Sequence, residues 1–589
     1  MRIKSFSISN FKGIGEEGVT IDFAPVTLLF GANNSGKSTI IQALHLAREV
    51  ICKGNLNPDF VQGGGKAISL GGFQNFVHRH GLHRDVTFKI EMDIDQLPEY
   101  YSDYDFMTAE NEEYNALVTM ISNVAVEVAL RWNPLNGAPY IESYNVYLNG
   151  EPFVRLPYSW TATSTMFSGC NPLVFLSQEG RRDIVSRAQK AQATANSDSF
   201  HDALRELLEA LVDALPDSLV KFADYTFLFQ SLGCSEGIAD EFLPELFPTV
   251  LNSTWSDWKT PLDTDDMGLW LPDFISPSET GAIDWIEMVK ALMSSLILGP
   301  GALVAKALEQ LSYISSNRVT PDRHFMVESG YEASWADGSA AWNALTEQSA
   351  LIGQINNEIP LVMGEDFGLL LNHHTEAAFA PDKLATRIEN LVADGESLDP
   401  ARLRNLISSC GTGVRNRLVF QDAWGTDTRP CDLGHGVSQI IPLLAAPFAL
   451  ESATVQRVHA IEEPESNIHP AWQVSLAEFF LRVAVRNNES DDDSHPLQAT
   501  YTGIPPLIVL ETHSEHIMLR LLRRIRETTE GDLPEGGTAA TVNDVAVFYV
   551  QKNADSGGTE ALRMLITPDG DFSRRWPKGF FRERAEELF

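Results

Sequence analysis

The sequence predicts an α/β protein: a mixed sheet and a flanking antiparallel sheet, with the two halves of the chain separated by a long, mainly helical insertion. Three observations predict it. A glycine-rich stretch, GANNSGKST (Gly31 to Thr39), stands between the apolar run VTLLF and the helical run STIIQALHLAREVI. Apolar runs and amphipathic runs alternate again from about Val414 onward. The segment between them has apolar residues at three- and four-residue spacing, as in FHDALRELLEALVDAL, which is the period of a helix.

Taken in order, the chain opens with strand, turn and strand, IKSFSISNF, VTIDF and VTLLF, followed by the glycine-rich loop and its helix. Strands follow in VTFKIEMDI and VAVEVALRW. In YNVYLNGEPFVRL, Asn149-Gly150 lies between alternating runs, a strong signal for a tight hairpin. An antiparallel sheet is therefore expected beside the loop. Helical character runs from about Ser199 to about residue 410, with Trp255, Trp258, Trp270 and Trp285 in its loops. Strand RNRLVFQDAW, helix PLLAAPFALESA, strand RVHAIEE, helix PAWQVSLAEFFLRVAV, strand PLIVLET and helix EHIMLRLLRRIRE complete the series. The expected division is an N-terminal lobe at 1–160, an insertion at 161–412 and a C-terminal lobe at 413–589. RNNESDDDSHPLQATYTGIP has no periodicity and reads as a polar loop, without a metal role for its Asp run.

The 589 residues and 44% hydrophobic content allow packed cores. Five cysteines, without C-x-x-C spacing, suggest neither a disulfide framework nor a zinc site, and the chain reads as cytoplasmic. The longest apolar run, ALMSSLILGPGALVAKAL, is broken by Gly299, Pro300 and Gly301 and is too short to span a bilayer. Net charge is −36, from 80 acidic against 44 basic residues. That opposes a broad nucleic-acid surface, whose affinity comes from neutralising phosphates. It leaves open an acidic surface for solubility, one for a basic partner, or a local basic groove.

Gly31 to Ser38 satisfies G-x-x-x-x-G-K-[ST] after a strand and before a helix. In that setting the backbone N–H groups of Gly31, Asn33, Asn34, Ser35, Gly36 and Thr39 surround phosphates at a helix N-terminus, Lys37 reaches the β and γ oxygens, and Ser38 offers its hydroxyl to Mg²⁺. ATP and Mg²⁺ are the implied cofactors. The strand in RVHAIEEPESNIHP ends in Glu462 and Glu463. With a phosphate loop in the same chain, Glu462 takes the metal side and Glu463 orients the attacking water. Without one, paired acids there would only be a solvated strand end. CDLGHGVSQIIPLL places Gly434, Gly436, Ser438 and Gln439 at a helix start, which serves either as a second anion site or as a helix cap. In IVLETHSEH, His513 follows a strand end; a single histidine there is either structural or functional. His78, His80 and His83 have no nearby Cys or paired acids and read as a loop, not a metal site.

The order of phosphate loop, Gly-Ser-Gln loop, acidic strand and strand-end histidine resembles an ABC-type ATPase head. The chain is similar to the ABC-type AAA ATPases related to RecF and to the overcoming-lysogenization-defect (OLD) proteins. The resemblance is to the subgroup reading G-x-N-N-S-G-K-S, G-x-G-V-S-Q, E-x-P-E-x-x-x-H-P and E-T-H-S-E. Here these are Gly31 to Ser38, Gly434 to Gln439, Glu463 to Pro470 and Glu511 to Glu515, with W-P-x-G-F-F at Trp576 to Phe581. It covers about residues 1–90 and 415–589. LSYISSNRVTPDR resembles a family segment that brings an arginine near the nucleotide, with Arg318 in its place and Ser316 where proline is usual.

The resemblance implies a homodimer of heads with ATP sandwiched between the phosphate loop of one and the Gly-Ser-Gln loop of the other. Ser438, with Gly436 and Gln439, would face the γ-phosphate in trans, and His513 would sense it in cis. Turnover would be that of a slow ATPase switch. OLD proteins add a nuclease domain, which this chain lacks by its motifs, since Asp569-Gly-Asp571 reads as a turn. The expected function is a switch that senses a ligand or nucleic acid and controls a separate effector, a nuclease or toxin, in antiphage defence of the Septu type. The alternative is a RecF-like clamp gripping DNA through Arg520, Arg523, Arg524 and Arg526, or Arg574, Arg575 and Lys578.

Overall fold

The computed structural model describes residues 1–157 except 62, 96 and 98–118, then 296–321, 333–393 except 380, 411–450, 455–485, 504–553 and 556–576, with isolated positions at 179–187 and 399–406. The helical run after Ser199, the four insertion tryptophans, the acidic loop and the end of the W-P-x-G-F-F motif lie outside the described residues.

The central sheet has six strands in the order Leu311–Ile314, Val458–Glu462, Leu507–Glu511, Val26–Phe30, Val545–Lys552 and Thr559–Arg563. The first five are parallel and the last is antiparallel. Parallel strands need both faces covered, and the residues alternate accordingly. Val26, Leu28 and Phe30 enter one core with Ile508, Leu510, Val545 and Val547, while Leu29 enters the other with Leu507, Val509, Ala546 and Val550. Helices His435–Ala449, Pro470–Ala484 and Glu515–Glu530 supply the first core.

The second core joins the helix Lys37–Lys53 to an antiparallel sheet ordered Val19–Asp22, Arg2–Ser9, Val86–Asp93, Asn123–Asn133, Ala138–Leu148 and Glu151–Pro157. Its last hairpin turns at Asn149-Gly150, with φ of 50° and 82°, as a two-residue turn matched to strand twist requires. The antiparallel sheet beside the loop is thus present as expected.

One strand departs from the expected division. Leu311–Ile314 lies within 161–412, yet it is the edge of the central sheet, paired in parallel with Val458–Glu462. All four of its residues are buried. Helices Ser339–Glu347 and Ser349–Met363 likewise pack into the core around Val26 and Phe30. Four apolar residues next to a helical run carry too short a pattern to separate strand from helix.

Candidate nucleotide-binding site

The phosphate loop leaves the C-terminal end of the central strand Val26–Phe30, between the ends of Leu507–Glu511 and Val545–Lys552. Open parallel sheets place ligands at this edge. Two glycines are required by close approach. A Cβ on Gly31 would lie 2.2 Å from the Val550 carbonyl, and one on Gly36 2.5 Å from Thr559 Oγ1. Gly36 also has φ 110° as the residue before the helix, a region favouring glycine. The loop is therefore braced by the C-terminal strands, and Thr559 Oγ1 donates to the Ser35 carbonyl at 3.1 Å.

Lys37 is buried and its Nζ donates to the carbonyls of Gly31 and Ala32, both at 3.1 Å. Burial holds its pKa below the usual lysine value. Its ammonium is curled into the loop, where phosphate oxygens would replace the carbonyls. Ser38 Oγ donates to Glu511 Oε1 at 2.9 Å, and Lys37 Nζ is 3.8 Å from the same oxygen.

Glu511 is the acid that sequence reasoning passed over, having noted it only as the first letter of E-T-H-S-E. In the sheet register it lies directly beside Glu462. Burial, then the like charge of Glu462, raises its pKa to about 7. Its Oε2 is buried without a partner among the described residues. Glu462 is also raised by burial, opposed by a hydrogen bond from Tyr313. One hydroxyl and two carboxylates form a hard oxygen set suited to Mg²⁺, which keeps several waters and leans on substrate phosphates. Among the described residues no group of three or more His, Cys, Asp or Glu could hold a metal by itself.

Glu463 follows with φ 41°, in the region non-glycine residues seldom occupy. Its N–H donates to the Glu511 carbonyl at 2.7 Å. Glu465 ties the next strand end down, accepting from Thr512 Oγ1 at 2.7 Å and from His513 N–H at 2.6 Å. Ser514 then caps the helix Glu515–Glu530, accepting from Ile517 N–H at 3.2 Å. His513 is held between these anchors, half-buried, with its pKa lowered by burial and by Lys37.

The Gly-Ser-Gln loop begins the helix His435–Ala449. Gly434 and His435 are exposed, whereas Ser438 and Gln439 are each 1% exposed. The Ser438 hydroxyl has no partner among the described residues, but it is covered in this arrangement. The accessible part of this loop is Gly434 and His435, with Gly436 half-buried, one turn before the expected serine. Helical spacing explains this, since Val437 to Ile441 form the inward start of an apolar helix.

Arg318 is buried and does not point its guanidinium into the phosphate loop. It donates to the carbonyls of Ser315, Glu462 and Glu463 and to Gln439 Oε1. His78 and His80 use Nδ1 on the carbonyls of Lys12 and Gln74. Asp569-Gly-Asp571 forms a turn closed by Thr567 N–H to the Asp571 carbonyl at 2.8 Å. No helix among the described residues is long and apolar enough to cross a membrane.

Residues 1–221 match a family model described as AAA ATPase domain, and residues 541–589 match a protein family of unknown function, DUF3696. No curated protein matches the chain. Solved structures similar to it include an Smc head bound to the C-winged helix domain of ScpA, at 10% identity and TM-score 0.33, covering 96% of this chain and 98% of that one. Another is the Pyrococcus furiosus Smc head with an extended coiled coil bound to the C-terminal domain of ScpA, at 9% and 0.34, covering 100% and 98%. A third is the Thermotoga maritima SMC head, at 10% and 0.32, covering 96% and 99%. At these TM-scores the superpositions are loose, and the assignment rests on the sequence match and the loop. The match over residues 1–221 and the geometry around Gly31 to Thr39 together support an AAA-type ATPase with a P-loop head.

Proposed function

We propose that this chain binds and hydrolyses ATP with Mg²⁺ at the Gly31–Thr39 loop, and that two heads closing around ATP form a switch controlling a separate effector, a nuclease or toxin, in antiphage defence. The observation that carries the nucleotide reading is the meeting of Lys37, Ser38, Glu462, Glu463, Glu511 and His513 at one edge of the sheet, drawn from three parallel strands. Lys37 binds the β and γ oxygens, and the loop N–H groups of Gly31, Asn33, Asn34, Ser35, Gly36 and Thr39 orient the phosphates. Ser38, Glu462 and Glu511 would hold Mg²⁺, which when bound would neutralise charge on the phosphate oxygens. Glu463 orients water and takes its proton, and His513 contacts the γ-phosphate.

In the dimer, Gly434, His435 and Gly436 face the γ-phosphate of the other head. Ser438 and Gln439 support that loop from behind. Control of a separate effector, in a setting like that of the OLD-related Septu proteins, is supported by the family resemblance and by Asp569 and Asp571 lying in a turn, not a nuclease site. Direct gripping of DNA needs free cations. Arg520 and Arg524 pair with Glu478, and Arg523 and Arg524 with Glu527. Arg574 donates to the Arg563 carbonyl at 2.7 Å. Glu478 and Glu527 thus offset part of the charge of three of the four arginines, with Arg526 exposed, and together with the net charge of −36 this favours the switch over the clamp.

The test is Glu463→Gln, which removes the base at constant size. Hydrolysis falls by roughly two to four orders of magnitude, and size-exclusion chromatography with ATP and Mg²⁺ shows the dimer accumulating. Lys37→Ala loses ATP binding by calorimetry. Unchanged hydrolysis and one species throughout would overturn the reading.

A further inference from the structure

Arg318 is among the largest fully buried side chains, at 1% exposure. Burial pushes its pKa down to about 10, so it stays charged at neutral pH. Among the described residues its hydrogen bonds go to three carbonyls and one amide, and to no carboxylate. A buried guanidinium is costly unless its donors are used, and here they span two parts of the site. Nη2 donates to the Glu463 carbonyl at 3.1 Å and Nη1 to that of Glu462 at 3.4 Å. Nε donates to Gln439 Oε1 at 3.3 Å. Gln439 Nε2 returns a bond to the Arg318 carbonyl at 2.7 Å and lies 3.4 Å from His435 Nε2. A continuous path thus runs from the exposed His435 to the backbone of Glu463.

Glu463 is the residue in this path with an unfavourable backbone, at φ 41°. A strained residue persists only where its surroundings over-determine it. Three bonds do so: its N–H donates to the Glu511 carbonyl, and its own carbonyl accepts from Ser466 N–H at 2.9 Å and from Arg318.

We propose that Arg318, together with Gln439, is a positioning residue that couples contact at His435 to the backbone of Glu463, so that closure against a second head sets the hydrolytic carboxylate. This rests on the reading of Glu463 as the water-orienting group. Without the Arg318 bond the Glu463 carbonyl keeps only the Ser466 N–H, its peptide relaxes and its carboxylate leaves the productive position. A misplacement near 1 Å costs about a hundredfold in rate. The phosphate loop is held separately, by Thr559 and the C-terminal strands, so ATP affinity is retained.

The test compares wild type, Arg318→Met, Arg318→Lys, Gln439→Leu and the Met/Leu double variant by ATP calorimetry and steady-state turnover. Arg318→Met is expected to lower kcat about a hundredfold with ATP Kd within about threefold. Arg318→Lys recovers part of the rate, and the double variant is no slower than Arg318→Met, since groups acting as one unit are not additive. Should Arg318→Met fail to fold, Arg318→Lys and Gln439→Leu decide, the latter because it removes the Nε acceptor of Arg318; each is expected to lower kcat with ATP Kd within about threefold. Wild-type rates in folded Arg318→Met, additive losses, or a wild-type rate in Gln439→Leu would overturn the coupling. Absence of ATP hydrolysis by wild type would sink the nucleotide reading and the coupling with it, whereas wild-type turnover beside unaffected variants sinks the coupling alone.

Discussion

The hydroxyl of Thr559 donates to the carbonyl of Ser35 across 524 residues of sequence. Its side chain fills the space that a Cβ on Gly36 would need, and its N–H donates to the Gly13 carbonyl at 2.8 Å. A segment matched only to a family of unknown function is thereby a working wall of the phosphate loop.

Thr559→Val keeps the shape and removes the hydroxyl, which leaves the Ser35 carbonyl without its donor. One net hydrogen bond is about 1 kcal/mol, so ATP affinity is expected to weaken about fivefold, while Thr559→Ser stays near wild type. Isothermal titration of the two variants checks this. Equal affinities for both would place the brace in the Gly31–Val550 contact instead.

Gly434 has open space where a Cβ would stand and an ordinary φ of −59°. Gly434→Trp should therefore fold as wild type and bind ATP as a single head. On the proposed sandwich it weakens ATP-dependent dimerisation by at least about tenfold, or ~1.4 kcal/mol. Analytical ultracentrifugation in the Glu463→Gln background measures it, and an undisturbed dimer would move the interface elsewhere.

Glu511→Gln retains a hydrogen-bond acceptor for Ser38 but removes the charge facing the metal position. The Mg²⁺ concentration giving half-maximal ATP hydrolysis should rise at least about tenfold, the scale seen on disturbing metal surroundings. A titration of Mg²⁺ at saturating ATP is sufficient. No shift would leave Glu462 and Ser38 as the metal set.

His45 and His459 are fully buried, and burial lowers the pKa of each to about 3. Unfolded histidine takes up its proton near pH 6.5. Between pH 6.5 and 3 the unfolded chain therefore binds protons that the folded chain refuses. Stability is full above pH 6.5 and falls with pH by ~1.4 kcal/mol per unit for each histidine. Both His45 nitrogens lack partners among the described residues, and the ring stands edge-on to Tyr313 at 5.4 Å. His45→Phe should remove one share of that slope, about 2 kcal/mol between pH 7 and pH 5. Urea unfolding of both proteins at the two values reads it, and comparing variants cancels the opposing effect of raised carboxylates such as Glu511. Parallel slopes would mean that His45 charges without unfolding the core.

Local signals were legible in the sequence. Gly31 to Ser38 carries its own turn chemistry, the strand before it is apolar apart from Thr27, and Asn149-Gly150 dictates its hairpin. Glu462 and Glu463 were visible because they end such a strand. What was hidden depends on register between distant strands. Nothing near Glu511 announces that it will lie beside Glu462, and nothing near Thr559 or Val550 refers to residues 31–36. Ser438 was read as a surface donor from its place in a motif, while the apolar period of its helix turns it inward. Analogy alone puts Arg318 near nucleotide, and three of its four partners come from distant segments that only folding assembles.

The strand VTLLF has every one of its sheet neighbours downstream, the first of them in sequence contact being Leu507–Glu511 and Val545–Lys552. During synthesis at 5 to 20 residues per second, Val26 to Phe30 therefore waits on the order of a minute for the strands that flank it. For that interval an apolar β-former with two open edges is exposed to other nascent chains, the situation in which edges pair wrongly. Phosphate binding cannot relieve it, because the walls at Val550 and Thr559 are not yet made. Competence to hold nucleotide thus waits until Thr559 has been made, and a ribosome that stops before it releases a head with an unbraced loop.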